Sequence, residues 1–279
     1  MRKIGVLPTL VTLANGFCGV LAIFKAADAL HAPPDQQMAL LSASAQLIML
    51  AMVFDVFDGK IARITGVTSQ FGAYLDSLCD AVSFGAAPAF LAKSLFEIRF
   101  PYVESGSAFS LPPQLLTFLT LTFALGALMR LARYNLEHAA GEGADREGKD
   151  VSHFDGLPTP GAAGVLAALV FLATESESKR LMDYSWVMAA LPFMCLALAY
   201  LMVSRLPYVH FGNRFLRGRR DLGYVFSIVV AIALAAKFPH EALAVVGTGY
   251  LVSGPAAALL RRLRPGSVEA ADVEQETAP

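Results

Sequence analysis

Long apolar stretches separated by short polar breaks dominate this chain. A helix that crosses a bilayer needs about 20 mostly apolar residues. The pattern predicts about eight such helices, near residues 9–30, 39–63, 71–96, 113–137, 158–174, 185–204, 221–238 and 241–260. Several breaks are very short, such as Pro239-His240, so neighbouring helices there run antiparallel. The predicted fold class is therefore all-α, a polytopic integral membrane protein with about eight transmembrane helices.

The composition supports a membrane protein. Hydrophobic residues make up 56% of the 279 and charged residues only 16%, whereas soluble domains carry about 25% charged residues. The formal net charge of −1 gives no indication of a nucleic-acid partner, and we expect none. The expected surroundings are the lipid bilayer.

The positions of the basic residues predict the orientation. With the N-terminus in the cytoplasm, 16 of the 22 Lys and Arg residues fall on the cytoplasmic side and 6 on the other. Cytoplasmic loops of membrane proteins carry the excess of Lys and Arg. We therefore expect a multi-pass protein of the cell (inner) membrane, with both termini in the cytoplasm.

The same reading predicts three regions. Residues 1–204 form a core of six transmembrane helices, within which the Gly-rich, charged stretch 139–156 is a cytoplasmic loop. Residues 205–263 comprise a basic cytoplasmic loop and a C-terminal pair of helices. Residues 264–279 form an acidic tail that we expect to be disordered.

Four acidic residues lie inside two adjacent predicted helices. Asp55 and Asp58 are three residues apart, and Asp76 and Asp80 are four apart, so each pair shares a helix face. An ionisable group at the centre of a membrane helix costs about 2.5–3.5 kcal/mol on insertion scales. Two antiparallel helices joined by a short loop near 64–70 can bring the four carboxylates together near the cytoplasm, where a cation would offset that cost.

Carboxylate oxygens are hard ligands that suit Mg²⁺ or Mn²⁺. Four of them can hold two divalent ions, an arrangement that serves in-line displacement at a phosphate. Gly59 and Ala62 remove side-chain bulk beside the acids, and Arg63 offers a planar donor fork for a diphosphate. The alternative from another class is a pathway for divalent cations or protons, which should carry polar residues on more than two helices.

The interleaved residues resemble the signature of the CDP-alcohol phosphatidyltransferase family. They read Asp58-Gly59-x2-Ala62-Arg63-x8-Gly72-x3-Asp76-x3-Asp80, preceded by Asp55. The resemblance implies that Asp55, Asp58 and Asp76 hold the metals. It implies that Asp80 is both a ligand and the general base toward the acceptor hydroxyl. Gly59, Ala62, Arg63 and Gly72 would contact the CDP moiety, and we expect Thr12 and Asn15 to contribute to the same subsite.

Three further stretches resemble the phosphatidylserine synthase branch of the family. They lie at residues 8–19, which include Thr12 and Asn15, at 130–135 and at 154–163. The resemblance implies transfer of a phosphatidyl group from CDP-diacylglycerol to L-serine, and a homodimer. Arg130 or Arg133 could receive the serine carboxylate, and Asn135 an amino or carboxylate group.

The acceptor is not decided by these arginines alone. Glycerol phosphate and inositol phosphate would also need arginines, and choline is a further acceptor of the family. Each arginine could instead be a positive anchor at the cytoplasmic face.

Overall fold

Eight α-helices, one π-helical segment and two short strands make up the part of the chain that the computed structural model describes. The described residues are 6–65, 70–102, 110–141, 153–179, 184–204, 207–209 and 239–263. In chain order the helices are α1 (Val6–His31), α2 (Pro34–Thr65), α3 (Gln70–Asp80), the π-helical segment (Ala81–Ala86), α4 (Ala87–Arg99), α5 (Pro113–Gly141), α6 (Thr159–Lys179), α7 (Ser185–Val203) and α8 (Pro239–Leu263). The strands are β1 (His153–Asp155) and β2 (Pro207–Val209).

Five helical stretches of the described chain are long and apolar enough to cross a membrane: Pro8–His31, Pro34–Ile61, Phe71–Arg99, Pro113–Leu136 and Ser185–Val203. Two further apolar stretches, Thr159–Glu175 and Ala242–Pro255, are shorter. The protein is thus a helical, multi-pass membrane protein. The predicted helix 221–238, the basic stretch before it and the tail 264–279 lie outside the described residues.

Helix α6 lies at the centre of the bundle, although its apolar stretch is shorter than those of the five spanning helices. Its residues from Val165 to Thr174 are all buried, and it packs against α2, α7 and α8. A helix that is apolar on every side is stable only when other helices surround it. The core around it includes Phe84, Leu91, Phe123, Leu166 and Leu191, each fully buried.

The predicted third transmembrane helix is continuous but not uniform. The α-helical hydrogen bonding stops at Asp80, six residues adopt the wider π-helical form, and α4 follows without a break. Such segments are rare and frequently occur at functional sites. The hydrophobic pattern predicted one regular helix here and gave no sign of this change.

A small β-ladder departs from the all-α prediction. β1 and β2 pair antiparallel, with Phe154 opposite Tyr208. The sequence predicted that residues 153–155 belong to a cytoplasmic loop. In the structure they lie just before α6, at the end of the bundle where α7 ends. β1 and β2 therefore meet there and satisfy each other's backbone hydrogen-bonding groups.

Gly156 connects this ladder to α6 and requires a glycine. Its φ is +90°, and a Cβ there would stand 2.6 Å from the carbonyl oxygens of Met202 and Ser204. The next residue, Leu157, donates a backbone hydrogen bond of 3.1 Å to the Leu201 carbonyl. The start of α6 is thereby fixed against the end of α7.

Candidate active site

The aspartates of α2 and α3 meet inside the bundle. Asp55, Asp76 and Asp80 each present one carboxylate oxygen, and these three oxygens lie within 4.8 Å of one another. The four-residue spacing of Asp76 and Asp80 puts both on the face of α3 that looks toward Asp55. The two helices thus bring together three acids that the chain spreads over 26 residues.

Asp58 joins the same cluster through Asp76. It is only 6% exposed, and its carboxyl group lies within hydrogen-bonding reach of the Asp76 carboxyl group. Asp58 Oδ2 and Asp76 Oδ1 are both buried and have no hydrogen-bond partner among the described residues. Carboxylates this close repel each other unless a proton or a cation lies between them.

Asn15 of α1 holds Asp80 in place. Its side-chain Nδ2 donates a hydrogen bond of 2.8 Å to Asp80 Oδ1, and both residues are buried. The backbone carbonyl of Asn15 in turn accepts a hydrogen bond of 3.0 Å from Ser83 Oγ in the π-helical segment. Asn15 is therefore bound to Asp80 through its side chain and to Ser83 through its backbone carbonyl.

Thr12 lies one turn before Asn15 on the same face of α1. It is buried, and its hydroxyl lies within hydrogen-bonding range of the Pro8 carbonyl oxygen, at 3.1 Å, and of the Asp58 carboxylate. One hydroxyl proton can serve only one of these acceptors at a time. α1 thus contributes polar groups to two of the four aspartates.

Space for a ligand remains next to Asp58. A Cβ added to Gly59 would meet no atom of the described residues within 4 Å. Gly72 is partly exposed on α3, one turn before Asp76. Ala62 and Arg63 belong to the last turns of α2, but their side chains lie outside the described part of the chain.

Arg130 of α5 is a basic residue in electrostatic range of Asp80. Its Nη1 donates a hydrogen bond of 3.1 Å to Thr159 Oγ1 at the start of α6, and its guanidinium interacts electrostatically with Asp80 and with Arg133. Arg130 Nε is buried and finds no hydrogen-bond partner within the described ranges. Arg133, one turn later on α5, is partly buried.

Asn135 lies beside Ser77, the residue that follows Asp76. Ser77 Oγ and Asn135 Oδ1 are 3.1 Å apart and hydrogen bonded. This contact ties α5 to α3 next to the acids. The sequence motifs gave no sign of Ser77 or Ser83, because both are ordinary small residues of a membrane helix.

The donor set fits a divalent cation. Oxygens that share one ion at about 2.1–2.5 Å lie no more than about 5 Å apart, and the three carboxylate oxygens satisfy that limit. The two buried carboxylate oxygens without partners are further available ligands. The cluster could therefore bind a metal, with Asn15 and Thr12 as its supporting polar groups.

Comparison with known families agrees with this geometry. The sequence model of the CDP-alcohol phosphatidyltransferases matches residues 5–209, which include all four aspartates and every helix from α1 to α7. The chain belongs to the CDP-alcohol phosphatidyltransferase family. Enzymes of this family use divalent metals, which is the chemistry that the cluster offers.

Several curated enzymes are similar to this phosphatidyltransferase over most of its length. The CDP-diacylglycerol–serine O-phosphatidyltransferase of Methanocaldococcus jannaschii is 28% identical over 243 residues, or 87% of this chain and 90% of that enzyme. The enzyme of the same name from Helicobacter pylori is 28% identical over 88% of both chains. An archaetidylserine synthase of Methanothermobacter thermautotrophicus is 28% identical over 72% of this chain and 69% of its own.

Proposed function

We propose that this protein transfers the phosphatidyl group of CDP-diacylglycerol to the hydroxyl of L-serine, giving phosphatidylserine and CMP. The observation that carries the proposal is the convergence of Asp55, Asp76 and Asp80 to within 4.8 Å, in a chain of the CDP-alcohol phosphatidyltransferase family. The names of the similar enzymes support serine, since all three contain it while the lipid part differs.

The reaction needs a base for the acceptor hydroxyl, and we assign that role to Asp80. Asn15 occupies Oδ1 of Asp80 and so orients the carboxylate. Asp80 takes the hydroxyl proton as the serine oxygen attacks the phosphorus that bears the diacylglycerol. A new P–O bond forms to serine, the P–O bond to CMP breaks, and CMP leaves with the electron pair. The displacement is direct, without a covalent enzyme intermediate.

Asp55, Asp58, Asp76 and Asp80 would hold the metal, which we propose to be two Mg²⁺ or Mn²⁺ ions. When bound, such ions neutralise negative charge on the diphosphate and on the departing CMP. The open space at Gly59 supports approach of the CDP moiety to the backbone there. Ala62, Arg63, Gly72, Thr12 and Asn15 complete the proposed CDP subsite.

Arg130 and Arg133 are the proposed contacts for the serine carboxylate. The buried Nε of Arg130, which lacks a partner among the described residues, supports a ligand at that position. Asn135, hydrogen bonded to Ser77, would border the same subsite. An arginine presents a planar fork of donors that matches a carboxylate.

We further propose that the chain crosses the cell (inner) membrane eight times, with both termini and the active site on the cytoplasmic side, and that it forms a homodimer. The core would be residues 1–204, followed by the basic loop and helix pair of 205–263 and the acidic tail of 264–279. The Lys and Arg distribution supports the orientation.

The acceptor can be tested directly with purified protein in detergent or liposomes. CDP-diacylglycerol and Mn²⁺ or Mg²⁺ are supplied with one acceptor at a time: L-serine, glycerol phosphate, inositol phosphate or choline. We expect CMP release, and a matching amount of new phospholipid, with serine alone. CMP release with another alcohol and none with serine would refute the acceptor while leaving the family assignment intact.

A further inference from the structure

Helix α8 carries a tyrosine into the region of Arg130. The family match ends at residue 209, whereas α8 begins at Pro239, so the match does not account for this helix. α8 packs along α6, with Gly247 against Val165. One turn later, the Tyr250 ring lies against Gly161, where an added Cβ would be only 3.0 Å from Tyr250 Cε1.

The contacts of Arg130 come from three helices. α5 supplies Arg130 itself, α6 supplies the hydroxyl of Thr159 at 3.1 Å, and α8 supplies the phenol of Tyr250, which interacts electrostatically with the guanidinium. Thr159 is fully buried. Thr159 therefore binds the Arg130 side chain directly and Tyr250 lies within its electrostatic range, while Nε has no partner among the described residues.

We propose that Tyr250 is a positioning residue for the acceptor, which together with Thr159 fixes the Arg130 guanidinium so that its remaining N–H groups face the carboxylate of the acceptor. Tyr250 acts through Arg130 and has no part in the displacement at phosphorus. This inference rests on the proposed function, because it takes the acceptor to be a small hydroxy compound that carries a carboxylate.

Tyr250 and Thr159 would preorganise the Arg130 side chain for its ligand. An arginine side chain has several rotatable bonds, and ordering them when the ligand binds reduces affinity. A phenol and a hydroxyl that hold the guanidinium beforehand remove that cost. The close contact at Gly161 restrains the Tyr250 ring, because any larger residue there would crowd Cε1.

The test compares Tyr250→Phe with Tyr200→Phe, a matched change at a tyrosine that is 73% exposed on α7. We expect Tyr250→Phe to raise the KM for serine about tenfold, which corresponds to the loss of one polar interaction with a charged group. The KM for CDP-diacylglycerol should stay within about twofold of the wild-type value. Tyr200→Phe should change neither constant. Unchanged serine KM in Tyr250→Phe, or equal changes in both constants, would overturn the proposal.

Gly161→Ala provides a second variant that leaves every polar group in place. Alanine favours a helix more than glycine does, which offsets part of the cost of crowding Tyr250. The added Cβ requires the Tyr250 ring to shift, and the serine KM should rise with little change in the KM for CDP-diacylglycerol. A wild-type serine KM in this variant would contradict the positioning role.

These outcomes are separable from failure of the proposed function. If the wild-type protein releases CMP only with another acceptor, serine is the wrong substrate. The KM for that acceptor in Tyr250→Phe then decides the role of Tyr250. A selective increase would support positioning of an anionic acceptor, and an unchanged value would refute it.

Discussion

Asn15 and Asp80, 65 residues apart in the chain, are joined by a buried hydrogen bond of 2.8 Å from Nδ2 to Oδ1. The bond links α1 to the last α-helical residue before the π-helical segment. One carboxylate oxygen of Asp80 also lies within 4.8 Å of carboxylate oxygens of Asp55 and Asp76. An amide that binds one carboxylate oxygen fixes the direction in which the other can accept a proton.

Asn15→Ala tests whether this bond orients the base. We expect kcat to fall about 10- to 100-fold, because a hydrogen bond to a charged group contributes about 1.5–3 kcal/mol. The KM for CDP-diacylglycerol should also rise, because Asn15 belongs to the proposed CDP subsite as well. The control is Gln37→Ala, which removes an amide that donates to the Ala32 carbonyl near the start of α2. If Asn15→Ala raises that KM and leaves kcat unchanged, Asn15 does not orient Asp80.

Close packing of Gly16 on Cys79 sets the distance between α1 and α3. A Cβ at Gly16 would lie 2.8 Å from Cys79 Sγ, and overpacking of this kind costs about 1–3 kcal/mol. We expect Gly16→Ala to lower the unfolding temperature in detergent and to reduce CMP release. Adding Cys79→Ala should restore part of both, since it removes the sulfur. If the double variant has the same unfolding temperature and the same CMP release as Gly16→Ala, the contact with Cys79 is not the cause of the loss.

The open space at Gly59 allows a comparison of two glycines. Neither Gly59 nor Gly249 would bring an added Cβ within 4 Å of another described atom. Alanine in either helix should therefore be neutral or slightly stabilising for the fold. We expect Gly59→Ala to raise the KM for CDP-diacylglycerol several-fold, because the methyl group occupies space that the substrate needs, and Gly249→Ala to have no effect. Equal kinetics in the two variants would remove Gly59 from the CDP subsite.

The sequence predicted the acids better than their surroundings. The four aspartates were found from spacing alone, because charged groups in an apolar helix are costly and three- and four-residue intervals define a face. The bond between Asn15 and Asp80 could not be found in this way, since it depends on how α1 packs across α3. The proximity of Tyr250 to Arg130 was also not predicted, because its helix was predicted only as a transmembrane segment.

Backbone features show the same limit. The hydrophobic pattern located the long helices, yet it predicted one regular helix across 71–96, where the structure changes to a π-helical segment after Asp80. The hydrophobic pattern shows which residues are apolar. It does not show whether a short segment among them, such as Ala81–Ala86, has the wider turns of a π-helix. The β-ladder before α6 was not predicted for a different reason: a strand of three residues is too short to show an alternating hydrophobic pattern.

Binding of Mn²⁺ examines the acidic cluster apart from catalysis. We expect electron paramagnetic resonance titration of the purified protein to show about two bound ions, and Asp55→Asn to lose at least one of them. Asp28→Asn, which alters an exposed acid at the far end of α1, is the control and should bind as the wild type does. Unaltered stoichiometry in Asp55→Asn would exclude this carboxylate as a ligand.

Serine-dependent CMP release by Asp80→Asn tests most directly whether Asp80 is the general base, with Asp35→Asn as a control at an exposed acid in the first turn of α2. An amide is nearly the same size as a carboxylate but cannot accept the hydroxyl proton. We expect Asp80→Asn to remain folded in membranes and to release no CMP above background, whereas Asp35→Asn should retain wild-type turnover. Near-normal turnover by folded Asp80→Asn would contradict the role of Asp80 as the base.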